Sequence, residues 1–112
     1  MHELSIAESI IDIVLNNAKS NSAKKVIKVT VVVGNCSGIV PESLRYCFDI
    51  IKKETAAEDA ELVVMEVSAR AHCESCGGDF KVGQYNYVCP KCGDIIMPTG
   101  GKELHISEME VE

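Results

Sequence analysis

The stretch Val26-Ile27-Lys28-Val29-Thr30-Val31-Val32-Val33 decides the architecture. Ile27, Val29, Val31 and Val33 share one side and Lys28 and Thr30 the other, an alternation rich in β-branched residues that suits a half-buried strand. Toward the N-terminus, Leu4, Ala7, Ile11, Val14, Leu15 and Ala18 recur on one helical face. Ser5, Glu8, Ser9, Asp12 and Asn16 occupy the other. Ser20, Asn21 and Ser22 then supply turn chemistry. On the other side, Gly34 to Gly38 breaks the strand, and Pro41 opens a helix in which Leu44, Cys47, Phe48 and Ile51 repeat down to about Glu54. Glu61 to Arg70 alternates again as a strand, and so does Lys102 to Glu112. In the last segment Leu104 and Ile106 take one phase and Met109 and Val111 the other, which predicts a bulge near Ser107–Glu108. The reading is α+β: a short mixed sheet covered by two helices. Residues 1–71 plus 95–112 form that unit, and an inserted module occupies 72–94.

The module differs in composition, with Cys, Gly, Pro and isolated aromatics but no periodicity. Its cysteines are spaced C-x2-C, twelve residues, then C-P-x-C: Cys73, Cys76, Cys89 and Cys92. Two residues between cysteines let both thiolates of a knuckle reach one ion, and Gly77 and Gly93 follow where such turns need a positive φ. Four thiolates around Zn²⁺ close a tetrahedral site with no open position. Iron accepts the same donor set, with zinc the default for an isolated ribbon. A segment of about 20 residues buries too little apolar surface to fold alone, and a bound ion supplies the difference. A redox dithiol is the rival reading of C-x-x-C. His72 beside Cys73 is a weaker candidate ligand. Cys47 falls on an apolar helix face and reads as packing, whereas Cys36 lies in a loop.

Charge narrows the partners. Lys+Arg of 11 against Asp+Glu of 17 leaves −6, which disfavours phosphate backbones. Within the module two lysines meet three acids, so no basic stripe supports nucleic-acid binding by the ribbon. No apolar run approaches the roughly 18 residues of a membrane span. The acidic start, with Glu3 and Glu8 and no base before Lys19, is unlike a secretory signal, so a cytoplasmic protein is expected. Glu103, Glu108, Glu110 and Glu112 read as a solvated strand face. His105 reads as a surface position on that strand, and the Gly34–Gly38 loop as an exposed docking surface.

His2 carries further chemistry. The Met1 amine, with a pKa of roughly 7.7–8.0, gives up its proton to a metal cheaply at neutral pH. That amine, an ionised His2 amide and the His2 imidazole wrap one ion in fused chelate rings. Such nitrogen-rich tetragonal coordination suits Ni(II) or Cu(II). A place remains for Glu3, through its amide or carboxylate, or for another donor.

Together these features resemble one family. An opening Met1-His2-Glu3, then the run from Ser37-Gly38-Ile39-Val40-Pro41-Glu42-Ser43-Leu44 to Phe48, the two cysteine pairs, and a closing Glu103-Leu104-His105-Ile106…Glu108-Met109-Glu110-Val111 resemble the HypA/HybF nickel metallochaperones of [NiFe] hydrogenase maturation. The resemblance spans the chain. It implies nickel at His2, with Met1 and Glu3, and zinc at Cys73, Cys76, Cys89 and Cys92. It further implies a nickel-binding α/β domain, no catalysis by the chain itself, a HypB-type GTPase partner, and the hydrogenase large subunit as recipient, urease being a second client in some bacteria. Family members are monomers or dimers, so a homodimer is among the assemblies implied. The chain has no G-x-x-x-x-G-K-[ST] loop, so GTP hydrolysis falls to the partner.

Overall fold

The computed structural model describes residues 2–83 and 87–112, the side chain of His2 excepted. The elements run α1 (His2–Ser20), β1 (Val26–Gly34), α2 (Pro41–Ile51), β2 (Glu61–Val67), β3 (Ala69–His72), β4 (Asp79–Val82) and β5 (Leu104–Val111). β1 is the centre of a mixed sheet in the order β2-β1-β5. It runs parallel to β2, from Lys28 opposite Glu61 to Gly34 opposite Val67, and antiparallel to β5. A parallel pair needs a crossover, and α2 provides it.

The expected strand of residues 26–33 is β1, with one change of phase. Val26 pairs with Val111 and Lys28 with Glu110, so Ile27 is an extra residue in the ladder. The bulge brings Val26 into line with Val29, Val31 and Val33, and all four are at most 1% exposed. On β5, Thr30 faces Glu108 and Val31 faces Ile106, which leaves Ser107 unpaired at the expected bulge. Against β1 pack Ala7, Ile10, Ile11, Val14 and Ala18 of α1, together with Leu44 and Phe48 of α2. Cys47 is buried there too, as its helical phase required.

α1 departs from its pattern at its first turn. Leu4, expected inside, is 39% exposed, and Glu3 takes the covered place at 9%. Residues 3, 7, 14 and 18 lie on one stripe, so a carboxylate heads an otherwise apolar row. α2 stops at Ile51, before the expected Glu54, because Glu54 sits in the left-handed region with φ 63.

The single strand read over Glu61–Arg70 is two strands. β2 ends at Val67, and β3 leaves to pair antiparallel with β4, Ala69 opposite Val82 and His72 opposite Asp79. The two strands bury opposite phases, Leu62 and Val64 facing the first core from β2 and Ala69 and Ala71 facing the second cluster from β3, and the apolar residues at both phases of β2 hide the break in the sequence. Ala69, Ala71, Cys73, Val82, Cys89 and Ile96 form a second hydrophobic cluster that shares no residue with the first. The radius of gyration, 17.6 Å, exceeds the ~13 Å of one compact domain this size. The molecule is elongated, 55 × 26 × 16 Å.

Asn35 ties the two parts together. Its side-chain oxygen accepts the Ala69 N–H at 3.0 Å, and its amide donates to the Val82 carbonyl at 3.0 Å. Cys36 N–H donates to the Gly101 carbonyl and Gly34 N–H to that of Glu103. Gly34 has to be glycine here, since a Cβ would lie 2.1 Å from the Gly101 oxygen. The loop read as an exposed docking surface is thus pinned, with Asn35, Cys36 and Ser37 half-buried. Glu103, read as part of a solvated strand face, precedes β5 and turns one buried oxygen, without a hydrogen-bond partner, toward this junction.

Candidate metal sites

The two cysteine turns are built alike. Gly77 N–H donates to the Cys73 carbonyl at 2.7 Å, and Gly93 N–H to that of Cys89 at 3.0 Å. Cys73 N–H donates to the Gly78 carbonyl and Cys89 N–H to that of Asp94, so each knuckle closes over six residues. Gly77 and Gly93 have φ of 74 and 80, the conformation their place after each pair called for. Ser75 donates to the Asp94 carboxylate, bracing one knuckle against the other.

These turns bring four sulfurs within 4.8 Å of one another. Cys73 and Cys92 are 3.5 Å apart and Cys76 and Cys89 3.7 Å. A tetrahedral zinc with Zn–S bonds near 2.3 Å requires sulfurs about 3.8 Å apart, so the donors fit. Cys73 and Cys89 are buried, and Cys76 and Cys92 face solvent.

The thiols also divide in proton affinity. Desolvation pushes the Cys89 thiol up, but the backbone N–H groups of Cys92 and Lys91 and the neighbouring thiols outweigh it, to about 6. At Cys92 the Asp94 N–H pulls down, and the Cys73 thiol, desolvation and the other two thiols carry the group up to about 12. Cys76 is raised as well: the Gly78 N–H pulls down, and desolvation with the Cys73 and Cys89 thiols prevails. Ionisation of one thiol thus opposes that of its neighbours, a repulsion that a bound cation would offset. His72 does not turn to the sulfurs; its Nδ1 pairs with Asp79 at 2.9 Å, which raises its pKa. Cys36 points its thiol to the Asn35 oxygen at 3.3 Å.

At the other site the backbone of His2 starts α1. Met1, the amine donor expected beside it, and the His2 imidazole lie outside the described part. Helix geometry leaves the first four N–H groups without intrahelical partners, so the amides that tetragonal coordination needs are those α1 does not use. Glu3 is placed fully. Its Oε2 accepts the Val40 N–H at 3.3 Å, a contact 37 residues apart in sequence. Val40 precedes α2 and brings no side-chain cap. Sequence reading missed this partnership, as it missed Asn35. The one available signal was the helix start Val40-Pro41, which lacks the Ser, Thr, Asp or Asn that caps such ends. His105 is exposed on β5, beside a groove of about 490 Å³ between α1 and β5.

Comparison with known proteins follows the same lines. The family described as "Hydrogenase/urease nickel incorporation, metallochaperone, hypA" matches residues 1–111. The hydrogenase maturation factor HypA of Caldanaerobacter subterraneus subsp. tengcongensis is 41% identical, with 100% of both chains covered. That of Geobacter metallireducens is 40% identical over the same span. Among solved structures, the Ni metallochaperone HypA from Helicobacter pylori superposes with a TM-score of 0.67 at 28% identity, covering 99% of this chain and 97% of that one.

Proposed function

Since this chain belongs to the hydrogenase/urease nickel-incorporation family of HypA metallochaperones, we propose that it binds Ni(II) at its first residues and hands it on during [NiFe] hydrogenase maturation. The Met1 amine, the His2 amide and the His2 imidazole hold the ion, and the Glu3 amide completes the set. Zinc at Cys73, Cys76, Cys89 and Cys92 is structural and stays with the chain, neutralising thiolates that repel one another without it.

The observation that carries this reading is the whole-length match of a chain opening Met1-His2-Glu3 to a nickel-incorporation family. Two kinds of site suit two tasks. A closed tetrathiolate retains its ion, and an open chelate at a chain end releases one. Delivery draws on a HypB-type GTPase, with the hydrogenase large subunit as recipient in the cytoplasm and urease as a second client. The chain works without catalysis of its own, as a monomer or a homodimer. The division of labour follows residues 1–71 plus 95–112 for nickel and 72–94 for zinc, with Ala69, Ala71 and Ile96 packing across those bounds onto the cysteine cluster. Among the described residues no helix is long and apolar enough to cross a membrane.

Nickel titration of untagged protein followed by absorption spectroscopy tests the site. One tetragonal Ni(II) per chain is expected, and residues added ahead of Met1 should abolish it by converting the amine to an amide. Undiminished binding by the extended protein refutes the terminal chelate.

A further inference from the structure

We infer that the Glu3 carboxylate is a positioning group, a clamp that fixes the nickel-binding chain end onto the start of α2 rather than a donor to the metal. The inference rests on the proposed nickel site and assigns one of its residues a separate task. Glu3 is 9% exposed, one of two buried polar residues in the described chain. A carboxylate so covered requires a partner, and its partner is the Val40 N–H at 3.3 Å.

The place is chemically apt. Val40 adopts an extended φ of −93 and ψ of 113 and has no capping side chain, and Pro41 in the first turn has no N–H to offer. The helix start therefore presents a donor and the positive end of a dipole with nothing local to answer them, and Glu3 answers from the neighbouring helix α1. His2 is the residue before Glu3. A helix end frays unless tied, and a donor set made of backbone and terminal amine is only as ordered as that first turn. Anchoring Glu3 fixes the first turn of α1, from which the proposed donors leave, and so lowers the ordering cost of closing the chelate.

Val40 itself is tied down at a distance. The loop leading to it starts at Asn35, which bonds both Ala69 and Val82, and Ser37 Oγ donates to the Gly34 carbonyl at 2.7 Å. Ile39 N–H in turn donates to Ser37 Oγ at 3.2 Å, so hydrogen bonds hold the loop up to the residue before Val40.

Nickel titration of zinc-loaded full-length protein tests the clamp, with Glu3→Gln, Glu3→Ala, Val40→Pro and the Glu3→Ala/Val40→Pro double variant. Val40→Pro deletes the donor N–H at an extended backbone and leaves Glu3 intact. Glu3→Ala and Val40→Pro are each expected to bind about tenfold more weakly, the scale of re-ordering one terminal residue, with stoichiometry and absorption spectrum unchanged. The double variant should be no weaker than either single one. Glu3→Gln keeps an acceptor oxygen, so it should bind within about threefold of the parent. Should Val40→Pro not fold, rescue by Glu3→Gln relative to Glu3→Ala decides. A changed spectrum in Glu3→Gln makes the carboxylate a ligand and overturns the clamp, as does a folded Val40→Pro that binds like the parent. A parent that binds no nickel refutes the proposed function itself, and it is seen before any variant is compared.

Discussion

The sheet unit and the cysteine unit hold together by opposite means. Around β1, aliphatic side chains from two helices and three strands close a core that needs no ligand. Around the four sulfurs, three of the six clustered residues are Ala or Val and two are cysteines that also serve as donors. Such a cluster buries little, and its thiols oppose joint ionisation. One unit is a fold that, in the proposed reading, carries a binding end, and the other is a cluster of metal donors on which a small fold depends.

The largest expected effect follows directly. Stripping the cysteine-bound ion with a strong chelator, or Cys89→Ser, should unfold residues 69–99 while β1, α1 and α2 keep their amide protection in hydrogen exchange. Structural zinc is worth on the order of 10–16 kcal/mol in small domains. Loss of protection across both sheets at once would break the contrast. The reciprocal case is Phe48→Ala, in a side chain with no exposure. It should cost the sheet unit about 3–5 kcal/mol in denaturant unfolding and leave zinc stoichiometry at one.

Asn35→Ala sharpens the comparison at the joint. It removes the acceptor for Ala69 N–H and the donor to the Val82 carbonyl. A cost of roughly 1–3 kcal/mol is expected, with calorimetry splitting one melting transition into two. The smallest effect concerns His72, whose pKa Asp79 holds above 6.5 through a hydrogen bond and its charge. A raised folded-state value means the pair's contribution is complete below pH 6.5 and fades as pH rises through that raised value. Asp79→Asn should return the His72 titration, followed by NMR, toward 6.5 with little change in unfolding.

Sequence carried the periodic elements well, because α1, β1 and α2 each bury one face and β5 half-buries Ile106 and Met109, and burial writes a period. The bulge at Ser107 was legible as a phase change between Ile106 and Met109. The cysteine cage was legible because two-residue spacing leaves a pair of thiolates few other uses. The split between β2 and β3 was hidden, since β2 is apolar at both phases and so masks the shift of the buried face from Leu62 and Val64 to Ala69 and Ala71. β4 was hidden too, being four residues long in a segment shaped by turns. The partners of Glu3 and Asn35 could not be read from local pattern, the uncapped start at Val40-Pro41 showing only that a donor there lacks a local acceptor. Each side chain acts on a backbone group more than thirty residues away, and only the fold brings that group within reach.

Elemental analysis of untagged protein after nickel addition and desalting, parent beside His2→Ala, tests the division of the two metals most directly. The parent should hold one zinc and one nickel per chain, and His2→Ala one zinc and no nickel. Equal nickel in both proteins, or nickel gained at the expense of zinc, would place the cargo among the cysteines and contradict the account.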